Sequence, residues 1–258
     1  MIKIGPAGIG GIKIAESNLK QFSLHNLKAA EIAFTYGVYL KKPDTTIIGK
    51  LAKELDIDLS IHAPYYINLN SKDKLKIEQS KNRILSCCEI GSHLFAKYVV
   101  FHPGFYGDKS KEETFEIIKS NILDLQDKLK KNNWKIKLAP ETTGKVNVFG
   151  SLDEILDLVK ETKCHFCVDF AHLKARNLGK LDLDETLDKI KKFEHIHSHF
   201  SGINFGVNGE KNHIPIDIKE TTNLLNELKQ RKISCTIICE APDTFGDAVK
   251  MQKILEKK

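Results

Sequence analysis

The sequence lacks any long apolar run. No segment approaches the roughly 20 consecutive apolar residues that a membrane-spanning helix needs, so no membrane partner is expected. A cleavable-signal pattern is also missing: MIKIGPAGIG carries a lysine and early glycines where an apolar core would stand, and a cytoplasmic location is expected. There is no linker, low-complexity tract or break in composition, which predicts one domain over residues 1–258. Disulfide staples are not expected, because a chain of this length buries enough core without them. Cys164 and Cys167 form a single C-x-x-C. A structural zinc site needs a second such pair, and Cys235 and Cys239 are spaced differently. These pairs lie in apolar runs and, with Cys87 and Cys88, read as buried free thiols. No G-x-G-x-x-G opens the chain. GPAGIGG has the wrong spacing for a dinucleotide fingerprint and reads as a rim loop.

What is present is a repeating unit. Hydrophobic residues make up 41% of the chain and charged residues 29%, enough for a large core inside a solvated shell. The net charge of +6 and the pI of about 8.8 permit a nucleic-acid partner without showing one. Eight β-rich runs alternate with helical patterns: 2–5, 30–34, 58–62, 97–102, 135–140, 164–169, 195–200 and 235–240. Ser110 with Glu113 and Ser151 with Glu154 spell capping boxes. Asp44 reads as the cap of a helix burying Ile47, Ile48, Leu51 and Leu55. Further helical patterns cover 75–90, 181–192, 221–229 and 245–255. Alternating strands and helices imply parallel strands with right-handed crossovers. Eight units in about 250 residues predict an α/β protein folded as a single (β/α)8 TIM barrel.

In such barrels chemistry sits at the C-terminal ends of the strands, and here those ends are alike. S-I-H-A-P-Y-Y places His62, V-V-F-H-P-G places His102, and K-L-A-P-E-T-T places Glu141. The sixth run ends at Asp169, with His172 in the next turn. H-S-H-F-S-G places His199, the following N-G-E-K-N-H-I-P holds His213, and I-I-C-E-A-P places Glu240. A lone histidine at a strand end is more often a hydrogen-bonded core residue than a ligand, and a lone carboxylate is often a cap. Eight together are different. Three carboxylates and five imidazoles packed without cations incur a severe desolvation and repulsion cost. Divalent metals remove it. Mixed histidine and carboxylate donors suit Zn2+ first, then Mn2+ or Fe2+, and eight donors with one bridging carboxylate suit two or three ions. His195 and His197 read as packing residues of a lower layer, and His25, His93 and His165 as structural.

S-I-H-A-P-Y, F-H-P-G, A-P-E-T, V-D-F-A-H, H-F-S-G and C-E-A-P, in that order and spacing, resemble the endonuclease IV family of apurinic/apyrimidinic DNA-repair nucleases, and the G-P-A-G start resembles its shorter, archaeal-type branch. The likeness runs over nearly the whole chain. It implies a zinc-dependent hydrolase that nicks double-stranded DNA on the 5′ side of an abasic site and leaves a 3′-hydroxyl; a monomer is expected. Carried over by motif, His62 and His102 bind a first zinc and Glu141 bridges it to a second. Asp169, His199 and Glu240 complete the second, and His172 and His213 hold a third. Glu141 and Glu240 are the catalytic carboxylates.

Two departures stand out. The family has an aspartate two residues before the histidine matching His213; this chain has Lys211. Glu210 is one step away and points elsewhere unless the loop bends, so the third zinc turns on that bend. The family's lesion-probing arginine is replaced by T-Y-G-V-Y-L-K-K, where Tyr36, Tyr39 or Lys41 stands in. Tyr65 and Tyr66 are placed to stack on bases. Two rivals remain open. A single-metal sugar isomerase or epimerase needs only Glu141, Asp169, His199 and Glu240, and a degenerate homologue binds DNA without cutting.

Overall fold

The structure is a computed structural model and describes residues 1–257. Eight parallel strands line a barrel: β1 (Ile2–Pro6), β2 (Ala29–Ala33), β3 (Asp58–His62), β4 (Tyr98–Phe101), β5 (Lys137–Pro140), β6 (Cys167–Asp169), β7 (Ile196–Phe200) and β8 (Cys235–Cys239). They pair as two four-stranded sheets, β2-β3-β4-β5 and β6-β7-β8-β1. Parallel bridges between Ala7 and Glu31 and between Glu141 and Cys167 join the sheets on both sides, and the ring closes. All eight runs read from the sequence are strands, with some ends trimmed by one to three residues and the first two strands extended by one residue at one end.

Closure demands a close approach of β1 to β2. A β-carbon on Gly5 would lie 1.8 Å from the Ala29 carbonyl oxygen, so only glycine fits there.

The helices are α1 (Ile12–Leu24), α2 (Lys42–Glu54), α3 (Lys74–His93), α4 (Lys111–Lys131), α5 (Leu152–Thr162), α6 (Phe170–Arg176), α7 (Leu183–Ile190), α8 (Ile218–Gln230) and α9 (Thr244–Glu256). The capping boxes of Ser110 and Ser151 start α4 and α5 as expected. Two expectations about α2 are corrected. Lys41 is its N-cap, and Asp44 sits at the third helical position, where its carboxylate accepts the Lys41 backbone N–H at 3.0 Å. Ile48 is buried as expected and Leu51 and Leu55 are half-buried against the core, but Ile47 is exposed, and Thr45, Gly49 and Ala52 complete the buried face. The small residues carry the contact because the helix runs close to its neighbour, with Gly49 against the Leu94 backbone. α1 and α6 were not anticipated, α1 because two glycines precede it and α6 because it is only seven residues long.

Strand alternation sorts the chain into two environments. Ile4, Ile32, Ile61, Val99, Leu138, Val168 and Ile237 face the helices and join the main apolar core. The residues between them face the barrel axis, where Tyr98, Val100, Ala139 and Cys167 form a small separate cluster. All six cysteines are buried and free. Among the described residues no helix is long and apolar enough to cross a membrane.

One difference from the sequence reading shapes the site. The segment after β7 is a hairpin, Gly202–Gly206 paired with Gly209–Ile214. Its register slips once: Phe205 faces Glu210, but Asn204 faces Asn212, so Lys211 is an extra, bulged residue.

Candidate metal centre

His62, Asp169 and His199 end or nearly end their strands, while His102, Glu141 and Glu240 directly follow β4, β5 and β8. All six lie on the axis-facing parity, so one pleat rule brings them to one rim. Glu141 is the hub and is fully buried. Its Oε2 lies 3.1 Å from both His62 Nε2 and His102 Nε2. Its Oε1 lies 3.1 Å from His199 Nδ1 and 3.3 Å from His172 Nδ1. Glu240 Oε1 is 3.4 Å from the same His199 nitrogen.

The donor atoms fall into overlapping groups whose members lie within 4.8 Å of one another: His62, His102 and Glu141; Glu141, Asp169, His199 and Glu240; His172, Glu210 and His213; His62, His199 and Glu240; and Cys167, His197 and His199. Every residue singled out as a ligand is in one of them. Glu141 belongs to two of them and turns a different oxygen to each, Oε2 to His62 and His102 and Oε1 to His199, which is the geometry of a bridging carboxylate.

The ring orientations are held from behind. His62 Nδ1 lies 2.8 Å from the Ala63 carbonyl, a contact that turns Nε2 toward Glu141. His172 Nδ1 is 3.0 Å from the Thr142 carbonyl and His213 Nδ1 is 2.6 Å from Ser201 Oγ. Such outer contacts fix ring orientation at metal sites. Asp169 splits its carboxylate. Oδ1 caps α6 by accepting the His172 backbone N–H at 2.7 Å, while Oδ2 is buried with no hydrogen-bond partner among the described residues. An orphaned carboxylate oxygen among imidazoles and two more carboxylates is a donor set that fits divalent cations.

The third group contains the residue that the sequence left in question. In a regular strand residues three apart point to opposite faces. The bulge at Lys211 adds one residue and puts Glu210 and His213 on the same face. Glu210 Oε2 then reaches to 3.5 Å from His172 Nε2. The loop does bend, and Glu210 takes the place facing His172 while Lys211 lies back over Gly206. The loop after β5 seats the hairpin: Glu210 N donates to the Gly144 carbonyl at 3.0 Å, and a β-carbon on Gly209 would lie 2.1 Å from that oxygen.

Burial and charge compete throughout the cluster. Burial alone would raise the Glu141 carboxyl, yet His199 and His102 hold it well below the usual carboxylate range. Burial would lower the His62 imidazole, yet Glu141 raises it to about 9. Desolvation likewise opposes the charge on His172, but Asp169 and Glu141 raise it well above its ordinary value. Protons therefore neutralise part of this cluster, and an incoming metal has to displace them.

The rim residues are dispersed more widely. Tyr65 and Tyr66 are 66% and 58% exposed, and the Tyr65 ring stands beside His62. Tyr36 is exposed at the same mouth; Tyr39 packs edge-on against Phe34 with its hydroxyl 3.4 Å from the Gly10 carbonyl. Lys41 is exposed but serves as the α2 cap.

Sequence reasoning missed Glu31. It sits on β2, fully buried on the axis side, one layer below the rim. Its Oε2 accepts from Ser60 Oγ at 2.8 Å and lies 3.1 Å from His197 Nε2; its Oε1 lies 3.0 Å from His199 Nε2. The available signal was a lone carboxylate in the middle of the apolar run A-A-E-I-A-F.

The sequence matches the family described as xylose isomerase-like TIM barrel over residues 19–257. The chain belongs to this family. An uncharacterised protein of Methanocaldococcus jannaschii is 39% identical over 95% of both chains. A probable endonuclease 4 of the Aster yellows witches'-broom phytoplasma is 30% identical over 64% of this chain and 65% of its own length. Among solved structures of this barrel, SacUVDE superposes with a TM-score of 0.78 at 18% identity, covering 99% and 98% of the two chains. Endonuclease IV from Thermus thermophilus gives 0.73 at 19% identity, covering 100% and 99%. A D-tagatose 3-epimerase-like protein gives 0.71 at 20% identity, covering 98% and 96%. This family member thus shares its fold with endonucleases and with sugar epimerases and carries histidine and carboxylate clusters able to hold metal.

Proposed function

We propose that this xylose isomerase-like barrel is a metal-dependent phosphodiester hydrolase that cuts duplex DNA on the 5′ side of abasic sites. The observation that carries the reading is the pair of adjoining donor groups sharing Glu141, with the His172, Glu210 and His213 group beside them. An epimerase of the related kind is served by Glu141, Asp169, His199 and Glu240 alone. His62 and His102 have no task there, whereas phosphoryl chemistry uses an ion on each side of the reacting oxygens. The likeness of the sequence motifs to endonuclease IV points the same way.

On this reading His62, His102 and Glu141 hold one ion and Glu141, Asp169, His199 and Glu240 the next. His172, Glu210 and His213 hold a third, with Glu210 in place of the family aspartate. Zn2+ suits this set best, with Mn2+ and Fe2+ as alternatives. The ions supply Lewis-acid stabilisation of charge on the phosphate oxygens and lower the pKa of water toward about 7.

The protein's own part is orientation and proton transfer. Glu141 fixes the spacing of the two groups. Glu240, 19% exposed at the mouth, is placed for its Oε2 to take the proton of the attacking water. Water adds to phosphorus, the P–O3′ bond breaks, and O3′ leaves and takes a proton from Glu240 or solvent to become the 3′-hydroxyl. Tyr65 and Tyr66 stack on bases at the lesion, with Tyr39 behind them, and Lys41 meets a phosphate.

The test is nicking of a duplex with one tetrahydrofuran abasic analogue, in zinc and after chelation. A single metal-dependent nick 5′ to the analogue is expected, and His102→Ala or Glu240→Gln lowers its rate more than about 100-fold with the fold retained. About one ion per chain, with epimerisation of a ketohexose and no nicking, overturns the reading in favour of the epimerase. Tight binding of the abasic duplex without cleavage in excess zinc overturns it in favour of a non-cleaving homologue.

A further inference from the structure

A carboxylate inside a TIM-barrel axis is costly to bury, and an apolar residue of similar volume is often no less stabilising. Glu31 is such a carboxylate, with no exposed surface. Ser60 and His197 hold its Oε2. Its Oε1 approaches His199 Nε2 to 3.0 Å, yet the two meet off the hydrogen-bond axis, and neither atom has another partner among the described residues.

His199 is placed between two sets of acids, one at the rim and one a layer below it. Its Nδ1 edge faces Glu141 Oε1 at 3.1 Å and Glu240 Oε1 at 3.4 Å, which is the donor group shared with Asp169. Its Nε2 edge faces Glu31 Oε1 at 3.0 Å, and Cys167 and His197 also offer donor atoms within 4.8 Å of a nitrogen of the ring. A neutral imidazole carries one proton, and the nitrogen that bears it cannot bind a cation. A carboxylate can only accept. A proton on Nε2 satisfies Glu31 and leaves the Nδ1 lone pair pointing at the donor group. A proton on Nδ1 blocks that group and leaves two lone pairs confronting each other at Nε2.

We propose that Glu31 is a positioning residue: it anchors the proton of the His199 ring on Nε2 and thereby aims the Nδ1 lone pair at the metal group. Ser60 and His197 keep its carboxylate in place. The inference rests on the metal-binding part of the reading above and not on its DNA substrate, because His199 belongs to the four-residue group in an epimerase as well.

The test is a titration of chelated protein with Co2+, read by its visible absorption, in wild type, Glu31→Gln, His199→Gln and the double variant. Glu31→Gln is expected to weaken the tightest cobalt site about 10–100-fold, the usual effect of removing an outer partner of a metal-bound histidine, and to change the band shape. In the His199→Gln background the same substitution is expected to add little, because its target ring is gone. Wild-type affinity in Glu31→Gln, or an equal loss in both backgrounds, overturns the proposal. If Glu31→Gln does not fold, Glu31→Asp keeps the charge but is one methylene too short to reach Nε2. It should lose affinity in the same direction, and unchanged affinity overturns the proposal. Cobalt binding does not depend on cleavage. Normal cobalt behaviour without nicking therefore refutes the nuclease reading and leaves this one standing.

Discussion

The protonated centre makes the stability of the chelated protein fall as pH rises. The His62 imidazole is raised from 6.5 to about 9, burial opposing and Glu141 favouring the charge. A raised folded-state pKa gives stability that is fully present below the unfolded value and is lost as pH rises through the folded one. The window is therefore pH 6.5 to about 9. His62 is nearly buried, with 12% of its side chain exposed, so screening removes little of the effect. The shift corresponds to about 3 kcal/mol, or roughly 6–12 °C in Tm for a chain of this size. His172 and His199 are raised as well and act in the same direction. His165 and His195, which burial lowers to about 4, stay neutral across this window and do not mask it. The assay is thermal melting of chelated protein at pH 6.5 and pH 9, with zinc-loaded protein alongside. Zinc displaces the protons, so the loaded protein should gain relative to the chelated one as pH rises. A chelated Tm that is flat or rises between these pH values refutes the reasoning.

Further outcomes follow from local geometry. Deleting Lys211 removes the bulge yet leaves Glu210 and His213 two residues apart and so on one face of a regular strand; bound metal, counted by elemental analysis, should be unchanged. Glu210→Ala, in contrast, takes one donor from the group with His172 and His213 and should lower it by about one equivalent per chain with the barrel intact. Gly5→Ala drives a β-carbon into the Ala29 carbonyl at 1.8 Å and should cost about 1–3 kcal/mol or more, measured by denaturant unfolding, because the seam between β1 and β2 has to open.

Much of the centre was legible because a pleated strand has a period of two. Once the eight runs are read as parallel strands, His62, His102, Glu141, Asp169, His199 and Glu240 must share one rim, whatever surrounds them. His172 follows because it lies in the turn that Asp169 caps. What was not legible depends on partners remote in sequence. Glu31 looks like an accident in an apolar strand until His199, far along the chain, is seen against it. Asp44 reads as a cap, yet the chain enters the helix three residues earlier, at Lys41.

The sequence alone determined the barrel, through alternation and spacing, and the donor set at its rim, through residue types that are costly to bury unless protons or metal ions balance their charge. Tertiary structure alone decided which donors group together, that Glu141 is shared, and that Glu210 rather than Lys211 faces His172. The reason is physical. Periodicity fixes the face on which a side chain lies, but a one-residue bulge resets that face, and only the pairing partner across the hairpin records where the bulge falls.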